Sequence, residues 1–298
     1  MTTTRTTPSP AASPEDLPTG RRGPRVTVVV ASRDRREELL ASLRRHEGPV
    51  VLVDNASSDG SAEAVRRELP HVDVVELPAN RGAAARTLGV ERARTPYVAF
   101  ADDDSWWAPG MLGKVADLFD ASPRLAVVAA RMLNGVDERR DGICDVMARS
   151  ALGTDEDLPG PSVLGFVACA SAVRRDAFLA AGGFDDVVVF PGEEARLAYD
   201  LAAAGHGLAY VEDLVVHHHP SPARDAPAER AVRIARAALL TDVMRRPWPV
   251  VARTVLRTAR RHPAALRRAL PSLRAALRAR RPNPPEVEAG LRLLAEAG

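Results

Sequence analysis

Tyr97-Val-Ala-Phe-Ala-Asp-Asp-Asp-Ser105 sets a short apolar run directly against three consecutive carboxylates. Five residues with no turn former among them predict a buried strand, and the acidic triplet marks where it stops. Adjacent anions repel one another unless a counterion sits among them. A hard divalent cation such as Mg2+ or Mn2+ takes one or two carboxylates together with phosphate oxygens. In extended backbone Asp102 and Asp104 point to one side and Asp103 to the other, so two of them are expected to face a metal and a nucleotide together. The other reading of the same residues is an acidic surface turn capping a helix that begins near Pro109.

Outward from this run the chain alternates strand and helix. Strands are expected at Val26–Val30, Val50–Val53, Val72–Leu77, Tyr97–Ala101 and Leu125–Ala130, with helices at Glu37–Leu43, Ser61–Leu69, Ala83–Ala93 and Pro109–Phe119 between them. Such alternation predicts an α/β fold with a Rossmann-like, mostly parallel sheet flanked by helices. Sheets of this kind gather ligands at the carboxyl ends of their strands, which directs attention to Ser32–Asp34, Asp54–Asp59 and Asp102–Asp104. Asn134 to Pro161 shows no period and reads as a variable loop over the site. Regular structure is expected again at Val163–Val173, in a helix to Ala181 followed by the turn Gly182-Gly183, in a helix Glu193–Ala203, and in strands near Leu208–Val211 and Leu214–His217.

At 298 residues, with 46% hydrophobic and 27% charged residues, the chain suffices for one large core with an appendage. A formal net charge of +2 gives no ground for a nucleic-acid partner. Cys144 and Cys169 have no metal-type spacing, which fits a reducing cytoplasm. Residues 1–24, rich in Thr, Pro, Ser and Ala, lack the apolar stretch of a signal peptide and read as a disordered tail. No run approaches the roughly 18 apolar residues of a spanning helix, so membrane contact is expected to be peripheral. Residues 25–220 therefore read as the α/β domain and 221–298 as a basic helical appendage. Between Val243 and Pro285 there is no acidic residue but about a dozen arginines. Either this tail lies on an anionic membrane surface at the inner face of the plasma membrane, or it packs on the main domain with its arginines in water.

The other strand ends add candidates. In Val51-Leu-Val-Asp-Asn-Ala-Ser-Ser-Asp-Gly60, Asp54 sits at the tip, placed to accept from a base N–H or to cap the turn. Asn80-Arg-Gly-Ala-Ala-Ala-Arg86 opens a helix, putting the Arg86 guanidinium about one turn in. Pro191-Gly-Glu-Glu194 opens another with two acids, as helix N-termini favour. Val215-Val-His-His-His-Pro220 invites a zinc reading, but imidazoles alternate along a strand: His217 and His219 face one way and His218 the other. Trp106 and Trp107 are expected either to wall a pocket beside the acidic triplet or to pack.

Together these segments, in this order, resemble the family 2 glycosyltransferases of rhamnosyltransferase-like type, with the GT-A fold, over roughly residues 25–220. Val28 to Arg35 resembles the family's opening strand, in which Ser32, Asp34 and Arg35 would border the nucleotide. Asp54 matches its base-binding aspartate. Asp102, Asp103 and Asp104 match its DXD motif, in which the last aspartate holds metal and the earlier ones meet metal or ribose. Ala181-Gly-Gly-Phe-Asp185 followed by Glu193-Glu194 is similar to its Gly-Gly-Phe-Asp and Glu-Asp pair, which implies Glu194 as the base with Glu193 as rival. A metal-binding His is implied at His218. Arg33, Thr87 and Glu194 stand where the family more often has an aromatic residue, Asn and Asp.

The resemblance implies transfer of a sugar, with inversion, from a nucleotide-diphosphate donor to a glycan or lipid-linked acceptor hydroxyl, aided by Mg2+ or Mn2+. Two other readings use the same residues: a nucleotidyltransferase, and an inactive relative that keeps the fold as a scaffold. A lysine-bearing Gly-rich phosphate loop, which the first needs, is absent after the opening strand. A Gly-x-Gly-x-x-Gly turn, which a dehydrogenase needs, is absent too.

Overall fold

The computed structural model describes residues 23–221 and 226–297. The expected disordered tail lies outside the described residues except for Gly23 and Pro24. Strands and helices alternate from the start: β1 (Val26–Ser32), α1 (Arg36–Leu43), β2 (Val50–Asp54), α2 (Ser61–Glu68), β3 (Asp73–Glu76), α3 (Ala84–Arg92) and β4 (Tyr97–Ala101). Then come β5 (Ser105–Trp107), α4 (Met111–Ala121), β6 (Leu125–Asn134), β7 (Arg139–Arg140), α5 (Gly142–Ala148), β8 (Ser171–Arg174), α6 (Arg175–Ala180), α7 (Glu193–Ala203) and β9 (Gly207–His218).

Among the described residues these strands form one sheet in the order β3-β2-β1-β4-β8-β6-β9-β5, with β7 paired to β6. Following the pairings, β1, β2, β3, β4, β6 and β9 run one way, while β5, β7 and β8 run the other. The sheet is thus mostly parallel. Both its faces are covered, so β1, β2 and β4 are buried nearly throughout and read as continuous apolar runs. The register sets Ser32 beside Asp54, so the tips of β1 and β2 open at one level.

Four differences from the expected elements bear on the site. Asp102 to Asp104 are not extended: the Ser105 N–H returns to the Asp102 carbonyl at 3.2 Å and the Asp102 N–H is held by Ser105 Oγ at 2.8 Å. The chain turns there and pairs β5 with β9, so the alternation expected for the triplet does not apply. The strands expected near Leu208 and Leu214 are one strand, interrupted against β6 by a register shift after Val211. Its Glu212 faces solvent, where Tyr210, Arg131 and Arg140 hold the carboxylate. The segment without period, Asn134 to Pro161, contains β7 and α5, the latter capped by Asp141, whose carboxylate accepts the Ile143 N–H at 2.9 Å. Finally, Val163–Val173 is regular only in a 3-10 turn at Ala168–Ala170 and in β8.

Beyond the sheet, α8 (Pro227–Arg245), α9 (Trp248–Arg261), α10 (Pro263–Arg278) and α11 (Pro285–Ala297) form the basic helical portion. Pro263 and Pro249 sit in first turns, where a missing N–H costs nothing, whereas Pro271 lies inside α10 without ending it. A second core, with Leu240, Val243, Met244, Val251 and Ala269 at its centre, includes Val188 from the loop before α7. Gly192 joins the portions closely: at φ 109° it suits glycine, and a Cβ there would stand 2.9 Å from Ala237 of α8. Arg245 of α8 reaches Asp200 of α7, which Arg196 also holds at 2.8 Å.

Candidate active site

The loops after β1 and β2 are laced together. Asp34, in the left-handed region at φ 54°, accepts from the Ser58 N–H at 2.7 Å and the Ser58 hydroxyl at 3.1 Å, and its own N–H goes to Ser57 Oγ. Hydrogen bonds from Ser58 hold its carboxyl below the usual range. Asp54 is buried at the tip of β2 and accepts the Ser57 N–H at 2.7 Å. Asp34 therefore stands at the exposed rim and Asp54 beneath it.

Next to Asp54, buried Ser32 donates its hydroxyl to Asp103 Oδ2 at 2.8 Å. Burial, reinforced by Asp102, pushes the Asp103 carboxyl up to about 7, with Ser32 and the nearby charge of Arg35 acting in the opposite direction. Asp102 turns the other way and pairs with the Arg86 guanidinium. Arg86 is 5% exposed on the first turn of α3 and also reaches Glu193 Oε1 at 3.5 Å. Its burial works against its charge, but Asp102 and Glu193 more than offset that.

Glu193 and Glu194 open α7, whose N-terminal dipole favours anions. They differ in setting. Glu193 is 1% exposed and lies behind Arg86, with Oε2 lacking a partner among the described residues. Glu194 is only partly buried and accepts the Ala168 N–H at 3.3 Å. Burial raises both carboxyls, and the charge of Glu194 adds to the rise at Glu193.

Asp104 faces β9. Its Oδ1 is 3.4 Å from His218 Nε2, and its Oδ2 accepts the Ser221 N–H at 3.1 Å. The expected alternation of the histidines is present: His217 turns to Glu138 at 2.9 Å, while His217 and His219 both lie against Trp106. The three imidazoles do not converge, so the zinc reading fails. Trp106 carries Arg45 over its ring at 3.9 Å and is filled by these contacts, and buried Trp107 donates to the Phe100 carbonyl. Both tryptophans pack.

The expected residues thus join into one constellation at the strand tips, running from Asp54 and Ser32 through Asp103, Asp102 and Arg86 to Glu193 and Glu194, with Asp104 and His218 at its β9 side. Among the described residues no group of three or more His, Cys, Asp or Glu side chains forms a metal cage by itself. One carboxylate with one imidazole still fits an Mg2+- or Mn2+-like ion, which completes its shell with phosphate and water. Arg86 is already matched by Asp102, Glu193 and the charge of Glu194, and Asp103 and Asp104 follow directly on Asp102, so the excess of carboxylates gives such a cation an electrostatic reason to bind.

Some residues that shape the site carried no obvious sequence signal. Thr87, at the family's Asn position, donates to the Phe184 carbonyl and accepts the Phe184 N–H, each at 2.9 Å. It thereby fastens the Gly-Gly-Phe-Asp turn to α3. A Cβ on Gly183, at φ 55°, would stand 2.6 Å from Thr87 Oγ1. Arg196 of α7 pairs with Asp185 at 2.9 Å, so the same turn also sets the angle of the Glu193-Glu194 helix. Asn134, which opens the segment without period, has its Oδ1 3.1 Å from His218 Nδ1.

The profile described as glycosyl transferase family 2 matches residues 27–180. A Mycobacterium tuberculosis protein named pre-mycofactocin glycosyltransferase is 32% identical over 237 residues, 72% of this chain and 47% of its own. An N-acetylglucosaminyl-diphospho-decaprenol L-rhamnosyltransferase of the same species is 28% identical over 66% of this chain and 75% of its own. The chain therefore spans about half the length of the first relative. Among solved structures, a mannosyltransferase from Pyrobaculum calidifontis in complex with GDP-Man and Mn2+ superposes with a TM-score of 0.59 at 22% identity, covering 95% of this chain and 83% of that one. The fold is that of the GT-A enzymes.

Proposed function

Because this chain belongs to glycosyl transferase family 2, we propose that it moves a sugar from a nucleotide-diphosphate donor to the hydroxyl of a glycan or lipid-linked acceptor, with inversion, in cell-surface polysaccharide or glycolipid synthesis. Residues 25–220 carry the reaction and 221–298 serve as an appendage. The observation that supports this is the convergence of Asp54, Asp104 and Glu194, which come from separate strand and helix ends, through the contacts of Ser32, Asp103, Asp102 and Arg86.

In a single in-line displacement the acceptor oxygen bonds to the anomeric carbon as the bond from that carbon to the diphosphate oxygen breaks. Glu194 takes the acceptor proton as attack proceeds, a contribution of about 10²–10⁴ in rate. Glu193, held behind Arg86, keeps that guanidinium aimed at Asp102. Ser32, Asp34, Arg35, Asp54, Asp102 and Asp103 border the nucleotide and ribose. Asp104 and His218 would hold Mg2+ or Mn2+, which when bound neutralises charge growing on the diphosphate.

A thermal-shift screen of nucleoside diphosphates with and without Mn2+ tests the donor class. A ligand held at 100 times its Kd stabilises the folded state by about 2.7 kcal/mol, which corresponds to a rise of several degrees in Tm. One nucleotide is expected to give this rise with Mn2+ and much less without it. Equal, unshifted melting with UDP, GDP, ADP and dTDP under both conditions would refute the proposal.

We also propose that the outer face of α9 and α10 lies on an anionic membrane. Arg253, Leu256, Arg257 and Arg260 share one face of α9, and Leu270, Arg274, Leu277 and Arg278 one face of α10. Leu256, Leu270 and Leu277 are 57%, 65% and 46% exposed, whereas Val251, Thr254, Ala269 and Ala276 are buried on the opposite faces. Among the described residues no helix is long and apolar enough to cross a membrane. At about 1 kcal/mol per arginine near an anionic surface, reversing three of them removes roughly 3 kcal/mol or more. The triple variant Arg253→Glu, Arg257→Glu, Arg274→Glu is expected to lose flotation with phosphatidylserine-containing liposomes by about 100-fold. Unchanged flotation would leave these helices as packing only.

A further inference from the structure

Asn134 is the last residue of β6 and stands opposite His218 in the register of β6 with β9. Its carboxamide oxygen is 3.1 Å from His218 Nδ1, and its Nδ2 donates to Asp141 Oδ2 at 2.5 Å. Asp141 is committed on both oxygens, since Oδ1 caps α5 through the Ile143 N–H. An ionised carboxylate only accepts, so the amide must turn its NH2 to Asp141 and its oxygen to the imidazole. An oxygen in that place requires the proton of a neutral ring to sit on Nδ1. Nε2 then carries the lone pair, and it is Nε2 that faces Asp104 Oδ1 at 3.4 Å.

We propose that Asn134 and Asp141 are positioning residues for the cation: the chain Asp141, Asn134, His218 fixes the tautomer and ring orientation that offers Nε2 beside Asp104. The inference rests on the reading of Asp104 and His218 as cation ligands. Two further contacts stiffen the same corner. The Gly135 N–H donates to the His218 carbonyl at 2.9 Å, and Glu138 holds His217. The segment from Asn134 to Ala148, which lies beside the site, is thereby coupled to cation binding. Partners of this kind on a ligating imidazole typically change metal affinity by about 10- to 100-fold.

The test measures free Mn2+ by electron paramagnetic resonance while the full chain is titrated in the presence of UDP and, separately, GDP, with thermal unfolding recorded alongside. Asn134→Leu, which keeps the branched shape and number of heavy atoms but removes both polar ends, is expected to weaken Mn2+ binding by about 10- to 100-fold. Asp141→Asn retains a good cap for α5 but no longer dictates which way the Asn134 amide faces, and several-fold weakening is expected at unchanged Tm. Wild-type Mn2+ affinity in both variants overturns the inference. So does a loss confined to Asn134→Leu that tracks a fall in Tm, which makes the residue merely structural. If Asn134→Leu does not fold, Asp141→Asn decides by the same criterion. A wild-type chain that binds no Mn2+ with either nucleotide removes the cation reading itself, and this inference with it.

Discussion

Glu194→Gln is expected to leave nucleotide-sugar affinity within about threefold of wild type while lowering turnover at least 100-fold, because it removes the proton acceptor and little else. Glutamine keeps the length of the side chain and an oxygen to accept the Ala168 N–H, so the start of α7 need not move. At about 1.36 kcal/mol per decade, a loss of two to four decades is roughly 3–6 kcal/mol of transition-state stabilisation, well above what a rim contact supplies. The pH profile gives an independent handle. Burial holds the Glu194 carboxyl above its ordinary value, and a base works only when deprotonated, so wild-type turnover should fall as pH drops through that raised value. The glutamine variant should have lost this acid limb. Glu193→Gln serves as the control: with its carboxylate against Arg86, its effect should appear as weaker donor binding or lower Tm. Undiminished turnover in Glu194→Gln would remove the assignment.

The parallel half of the sheet was legible because its physics is local. Val26–Val30, Val50–Val53 and Tyr97–Ala101 are runs that only a doubly covered strand explains, and the polar residues after each must then sit at one edge. Convergence of Asp54, Asp102 to Asp104 and Arg86 follows from topology, so the sequence was enough to place them. The direction of each side chain was not legible. It depends on the turn at Asp102 to Ser105 and on β5, a strand of three residues that owes its existence to pairing with β9 more than 100 residues later. Local pattern carries no trace of such a partner.

Thr87 illustrates the same limit from the other side. Read against the family it is a departure, yet a hydroxyl that both donates to and accepts from Phe184 performs a two-ended grip much as a carboxamide would. The departure thus has a structural use here, fastening the turn at Phe184 to α3. Glu212 is similar: a charge within a strand looks like a strand end until its side chain is seen to face solvent, where Arg131 and Arg140, from other elements, pair with it. What a single sequence withholds is mostly the identity of compensating partners, and these are where the site's orientation is set.

Asp104→Ala is expected to abolish the Mn2+-dependent part of donor binding, and with it nearly all turnover, while leaving the chain folded. The side chain is only partly buried, and its carboxylate faces His218 Nε2 and the Ser221 N–H without filling the core, so truncation opens no large cavity. A binding site with one carboxylate and one imidazole has no spare ligand, and a hard cation loses its anionic anchor when that carboxylate goes. Titration of the nucleotide identified by the thermal screen, with and without Mn2+, should show the two curves of the variant coinciding where those of the wild type differ by at least tenfold. Asp102→Ala should behave differently. Asp102 is the partner of Arg86, and its loss leaves a buried guanidinium balanced by Glu193 and the weaker pull of Glu194, a change that costs stability before it costs metal. If Mn2+ sharpens donor binding in Asp104→Ala as much as in wild type, the cation is held elsewhere, and the role given to the β9 end must be withdrawn even though the α/β scaffold and the Glu194 assignment would stand.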